Sequence, residues 1–593
     1  MIDRTTKLRW RRRVRRSRRQ VEDMGVQAED HIDKHFFRKL GRLANVRRFV
    51  IVWVLLIVLI LGALVAQTRA LDSHYLTAKP VSGGIYSEGI LGTFTNANPL
   101  YATSQVDSSV AKLIFSGLLK YDQNHQLVGD LAQRWTVDEH GTHYIVYLRK
   151  DLKWQDGEPL TADDVVFTYQ SIQNPDAKSP LASSYQGVTV EAINPTTVKF
   201  TIPNPLGPFP YSLTNGIVPK HLLSGISPSQ LRSVSFNTSD PVGSGPFKWA
   251  AIDVSGDTPE TREEQIGLEP NDLYYAGKPK LDRFIIRTFH DQKRLEDSFS
   301  KQELTAAAGL PDVPQGTKED SNLGEYNVPL LSEVLVFFRT SQDILKDTAV
   351  RKALTMATNT GSVINSIGYP VVPANEPFLM SSYAYDKNLQ QLSFNQAQAA
   401  AALDAAGWKQ TPSGIRSKDG KPLTFQLYLQ DEKEYQTVAG KLKEQWKAVG
   451  VDVELVARSD VDLQNTINSH SYDALLYGIQ LGADPDVFAY WHSSQANVLS
   501  GTRLNFSEYK STVADNSLEA GRTRTDPTIR AIKYRPFLEA WRTDAPAVAL
   551  YQPRFLYLTH GKLFGFNPHG LAADTDRYAN VNNWMIREEK TSQ

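Results

Sequence analysis

The chain has 593 residues, with 65 lysines and arginines against 65 aspartates and glutamates, 12 histidines and no cysteine. Overall neutrality excludes a uniformly basic nucleic-acid binder, and the missing cysteine excludes disulfides, thiolate metal sites, a cysteine nucleophile and a thioether-linked lipid anchor. An apolar content of 41% and an aromatic content of 10% exclude general disorder. At this length they predict two or more lobes, because single cores stop growing beyond roughly 250 to 300 residues.

The neutrality is a cancellation. Residues 1–48 carry 16 basic and 6 acidic side chains, a net of +10, so the remainder carries a net of −10. The run RRRVRRSRR at 11–19 has no interleaved aromatic residue to stack on bases. It therefore reads as a topology signal lying against anionic lipid headgroups rather than as a nucleic-acid arm. Next comes FVIVWVLLIVLILGALVA at 49–66, 18 residues without a charge or a proline. As a helix at ~1.5 Å per residue this run spans about 27 Å, close to a hydrocarbon core. A cleaved signal peptide has a shorter apolar stretch, a shorter leader and a small-residue cleavage site, none of which is present. A retained transmembrane helix over 49–68 is expected, with residues 1–48 in the cytoplasm by the positive-inside rule and the large domain outside the plasma membrane.

A short linker over 69–80 should lead into a globular α/β body without repeats. THYIVYLRK at 142–150 has the aromatic and β-branched content of a strand. In KWQDGEPLTADDVVF, Asp156 and Gly157 mark a turn, Thr161 is an N-cap, and Asp163 and Asp164 fall where carboxylates meet the positive helix end. PVGSGPFKW at 241–249 is a stiff bend, read as a tight turn or as backbone brought close to something. Two helices closed by Gly407 and Gly450 are each followed by a strand-like run, at 423–430 and 451–457.

Enzymatic motifs are absent. No G-x-S-x-G, P-loop or H-E-x-x-H occurs. His140 and His143 sit at a turn before a strand and read as exposed histidines rather than metal ligands, while His31 and His35 fall in the leader. The expectation is a non-catalytic protein without cofactor or metal.

Ordered blocks of the body resemble the family 5 extracellular solute-binding proteins, the binding components of peptide-type ABC importers. They include SGGIYSEGILGTFTNANPLYATSQVDSSVAKLIFSGLLKYDQNHQLVGDLAQRWTV at 82–137, YLRKDLKWQDGEPLTADDVVFTY at 147–169, PVGSGPFKW, LKDTAVRKALTMAT at 345–358, YDALLYGIQLGADPDVFAYW at 472–491 and DAPAVALYQP at 544–553. The resemblance covers essentially all of 81–593 and implies a two-lobed periplasmic-binding-protein-like fold with a hinge. The first lobe would be discontinuous, comprising 81–117, a family-specific subdomain at 118–235, then 236–328 and 549–593. The second lobe would span 329–548, with chain crossings near 328 and 548. It also implies a peptide ligand held between the lobes and ABC permease subunits as partners. The alternatives are another solute, such as an oligosaccharide or a metal chelate, or a membrane-anchored signalling or adhesion receptor.

The resemblance places ligand contacts on the GADPDVFAYW loop, at Gly482, Asp484, Asp486 and Trp491, with Tyr477 on the run leading into it. Leu481 stands where dipeptide binders have an amine-binding aspartate, leaving Asp484 either as the substitute or as a structural acid capping a turn beside Pro485. Phe338 and Arg339 stand where many members have Phe-Asn, and an arginine there suits a carboxylate. Asn359 and Thr360 replace the usual Asp-Arg pair.

Overall fold

A computed structural model describes residues 47–258, 261–496 and 503–592, so the leader, except Arg47 and Arg48, lies outside the described residues. The chain forms two units, one from Met1–Lys79 with Glu588–Gln593 and the other from Pro80–Arg587. In the first, a 29-residue helix covers Arg47–Tyr75. Its stretch Phe49–Gln67 has a mean hydropathy of 3.3, none of it buried, and is long and apolar enough to cross a membrane. The helix runs on through most of the expected linker because no glycine or proline occurs from 63 to 79. The rest of that segment belongs to the strand Leu76–Val81, which pairs with Arg587–Ser592.

The larger unit is built on two mixed sheets. The first has seven strands, in spatial order Leu323–Pro329, Arg554–His560, Ala306–Ala308, Ile85–Leu91, Arg283–Phe289, Glu263–Pro270 and Phe247–Ser255. Ile85–Leu91 runs parallel to both of its neighbours. Its Glu88 is fully buried and is neutralised by Arg577 at 2.6 Å, with Tyr557 and Tyr578 donating their hydroxyls to it. A separate four-stranded sheet, in the order Ala132–Val137, His143–Leu148, Thr197–Thr201 and Thr189–Asn194, shares one hydrophobic core with the seven-stranded sheet.

The second main sheet has six strands, in the order Val372–Pro373, Ala547–Gln552, Ser332–Phe338, Ala474–Gln480, Thr424–Gln430 and Asp452–Arg458. Thr424–Gln430 is parallel to both Asp452–Arg458 and Ala474–Gln480. The connections are the helices Lys433–Lys447 and Asp460–Ser469, an α/β arrangement with a separate core on each face of the sheet. The chain passes from the first sheet to the second at Leu330 and Leu331 and returns at Pro553. The return comes later than position 548, because Val548 is still paired in the second sheet. The two crossings touch, the Leu330 amide donating to the Pro553 carbonyl at 2.8 Å.

Local chemistry matches the expected elements. Thr161 caps the helix Ala162–Gln173, its amide donating to the Asp164 carboxylate at 2.8 Å. The PVGSGPFKW bend is a close backbone approach rather than an isolated turn. The Gly245 amide donates to the Ile114 carbonyl at 2.7 Å, and a Cβ on Gly243 or Gly245 would overlap that same carbonyl.

Candidate functional site

A cleft of about 590 Å3 is walled by Lys112, Tyr121, Asn215 and Asp576 on the side of the first sheet and its subdomain, and by Gln480, Leu481, Gly482 and Tyr490 at the end of the strand Ala474–Gln480 and the segment after it. Two smaller hollows extend it. One of about 330 Å3 holds Tyr211, Tyr383, Leu481 and Asp484; the other, of about 290 Å3, holds Tyr121, His125 and Asp576. The second wall is positioned by the crossing itself, since the amides of Leu481 and Gly482 both donate to the Leu331 carbonyl at 2.9 Å. Gly482 has φ +72°, a left-handed conformation that suits glycine. Leu331, Leu379 and Ala572 close the floor, with Tyr121, Leu481 and Ala483 packed on them. Many phenol rings and few free charges make the cleft an amphipathic surface able to stack and hydrogen-bond.

Both expected acids are engaged. Asp484 is 8% exposed; Arg530 clasps it with both terminal nitrogens, one of them at 2.7 Å. Arg530 also donates to the Gly521 carbonyl at 3.1 Å. Asp486 meets Arg522 at 3.1 Å, and that guanidinium lies 4.1 Å from the centre of the Phe488 ring. Burial raises the pKa of Asp486, and Arg522 opposes the rise. These pairs brace the loop, with Leu481 and Gly482 lining the cleft and Asp484 the hollow beside it.

The other expected residues do not converge on the cleft. Phe338 and Trp491 are fully buried, in different cores. Arg339 follows the far end of the strand Ser332–Phe338, and at ~3.3 Å per residue it lies more than 20 Å along the chain from Leu331; its side chain donates to the His470 carbonyl. Tyr477 lines an adjoining hollow of about 510 Å3 with Phe506 and Tyr490 and accepts a hydrogen bond from Gln464 at 2.9 Å. Asn359 N-caps the helix Thr360–Ile367, a local structural role. Among the described residues no group of three or more histidines and acids is placed to hold a metal.

Sequence reasoning missed Arg530, Arg522, Lys112 and Asp576. For Arg530 a signal existed. It lies on the stripe of Tyr534, Phe537, Leu538 and Trp541, all buried on one helix. An arginine on such a stripe requires a buried partner.

Residues 126–500 match the family model described as bacterial extracellular solute-binding proteins, family 5 middle. The oligopeptide-binding protein AppA of Bacillus subtilis (strain 168) is 29% identical over 520 residues, covering 86% of this chain and 92% of AppA. The solved structure of that AppA in complex with a nonapeptide matches with a TM-score of 0.66 at 28% identity, over 86% of this chain and all of the other. NikZ from Campylobacter jejuni, solved in complex with Ni(L-His), matches with a TM-score of 0.69 at 28% identity, over 84% of this chain and 99% of NikZ. The fold is thus the two-lobed, mixed α/β class of periplasmic-binding-protein-like receptors. The chain belongs to the family 5 bacterial extracellular solute-binding proteins, which are binding proteins of transporters and not enzymes.

Proposed function

We propose that the chain captures peptides in the cleft and delivers them to an ABC permease in the plasma membrane, held there by the helix over Phe49–Gln67 with the basic leader in the cytoplasm. In this reading the two crossings are the hinge. Residues 81–117, 236–329 and 554–593 form the first lobe, 118–235 its subdomain and 332–552 the second lobe, with the crossings at Leu330, Leu331 and Pro553 between them. Closure about a few residues lets a permease distinguish loaded from empty protein. The observation that carries the reading is a tyrosine-lined cleft with one wall from the side of the first sheet and its subdomain and the other from the loop that follows the strand Ala474–Gln480, supported by 29% identity to an oligopeptide-binding protein. Gln480, Leu481, Gly482 and Tyr490 supply the second wall, while Asp484 and Asp486 position the loop through their arginines.

The test is native mass spectrometry of the full-length protein purified in mild detergent, with released ligands sequenced. Co-purified peptides are expected, intact after prolonged incubation. Release of a metal chelate of the kind in the NikZ structure, or of an oligosaccharide, would replace the peptide reading.

A further inference from the structure

The helix Gln105–Ile114 buries Val106, Val110, Leu113 and Ile114 and is capped by Ser104, whose side chain accepts the Asp107 amide. Its other face brings Ser108, Ala111 and Lys112 to the cleft, the spacing expected of residues stacked on one helical face. Lys112 is half-buried, and its ammonium makes no hydrogen bond or ion pair among the described residues. Among the described residues the acid whose charge it feels is Asp576, which also lines the cleft and accepts the Ala573 amide at 2.9 Å.

Every other lysine or arginine at the cleft and its two extensions is committed. Lys120 lies 3.6 Å from Asp130 and over the Tyr275 ring. Arg577 is fully buried against Glu88, and Arg530 and Arg522 hold Asp484 and Asp486. A half-buried ammonium with spare donors thus faces a cleft of about 590 Å3 with one acid, Asp576, near it and no ion pair to that acid. Ammonium–carboxylate hydrogen bonds are among the stronger polar contacts in such surroundings.

We infer that Lys112 is the residue that anchors a carboxylate of the bound peptide, making the cleft selective for ligands with a free acid group. This rests on the peptide reading above. The carboxylate could be the C-terminus or an acidic side chain, and both present the same chemistry to the ammonium.

Three mixed libraries of three- to nine-residue peptides separate the possibilities, each offered to the full-length protein in detergent with captured species read by mass spectrometry. The first lacks Asp and Glu and ends in a free acid. The second lacks Asp and Glu and is C-amidated. The third is C-amidated but contains Asp and Glu. The wild type should retain the first or the third over the second by roughly 10- to 100-fold, the range for loss of a hydrogen bond to a charged group. K112Q should lose that preference, and K112R should restore most of it. Preference for the first library alone assigns the C-terminus, and for the third alone a side chain. Equal capture of all three by the wild type, or an undiminished preference in K112Q, overturns the anchor while leaving peptide binding standing. Capture of no library overturns the peptide reading and the anchor with it. Should K112Q fail to fold, K112M, which keeps the length of the side chain and removes the charge, carries the same comparison.

Discussion

The amide of Gly207 donates to the carbonyl of Arg522 at 2.7 Å, joining the segment after the strand Thr197–Thr201 to the end of the helix Thr512–Arg522. The approach is so close that a Cβ on Gly207 would overlap the Arg524 carbonyl. This contact bridges the two sides of the cleft away from the crossings, and Arg522 itself braces Asp486. The contact between the two sides and the bracing of the loop therefore share one segment.

Gly207→Val should hold the two sides apart. Peptide affinity is expected to fall at least tenfold and the radius of gyration of the ligand-saturated protein to rise, while Gly225→Ala, which has open space around it, changes neither. Titration calorimetry and X-ray scattering check this, and unaltered affinity in Gly207→Val would show that the contact does not contribute to closure.

Asp484 and Arg530 form a buried pair, 8% and 3% exposed. Breaking one partner of such a pair costs ~3–5 kcal/mol because the other is left uncompensated. Asp484→Asn or Arg530→Met should thus lower the melting temperature markedly, and the double variant should lose less than the two losses added. Because both Asp484 oxygens are already engaged, N-acetylated and free-amine peptides should bind the wild type alike. A strong preference for the free amine would mean that ligand displaces Arg530.

Glu333 and Glu376 are fully buried, and three of their four carboxyl oxygens lack a hydrogen-bond partner. Burial, then the charge of Glu376, raises the pKa of Glu333, while burial pushes that of Glu376 up to about 8. Between the ordinary carboxylate range and that value the folded protein keeps protons that the unfolded chain has lost. Stability should therefore fall as pH rises from about 4.5 toward 8, by at most ~1.4 kcal/mol per pH unit for each proton held. Glu376→Gln should flatten this slope and melt above the wild type at pH 8. Chemical denaturation across pH 5 to 8 tests the sign, and a wild type more stable at pH 8 than at pH 5 would contradict it.

The anchor is tested by fractionation. Full-length protein should stay with membranes through an alkaline carbonate wash and begin with the leader on N-terminal sequencing, whereas a chain lacking residues 1–71 should be released. Recovery of a membrane form that starts near Gln67 or Leu71 would indicate processing instead.

Features governed by neighbours in the chain were legible in the sequence. The Thr161 cap, the helices Gln396–Ala405 and Lys433–Lys447 and the strands after them follow from apolar period, capping residues and glycine stops, which act over a few positions. The apolar run at 49–66 and the two-lobed class were legible for the same reason, one from its length and the other from many local blocks in order. Site membership was legible only in part: Gly482 lines the cleft and Asp484 a hollow that extends it, as the loop motif suggested. Phe338 and Trp491 looked like ligand residues because aromatic side chains serve cores and binding surfaces equally well, and only the packing of whole sheets decided that both are core. The same holds for charge: Asp484 is an open carboxylate in the sequence and a neutralised one in the fold, because Arg530 arrives from a helix 46 positions on. Lys112 is one lysine among many until the folded chain commits the other cations around the cleft and leaves its ammonium without an ion pair among the described residues. Local order is set by the sequence through short-range sterics and periodicity, whereas the partner of each charge is set by three-dimensional proximity, which short-range patterns do not encode.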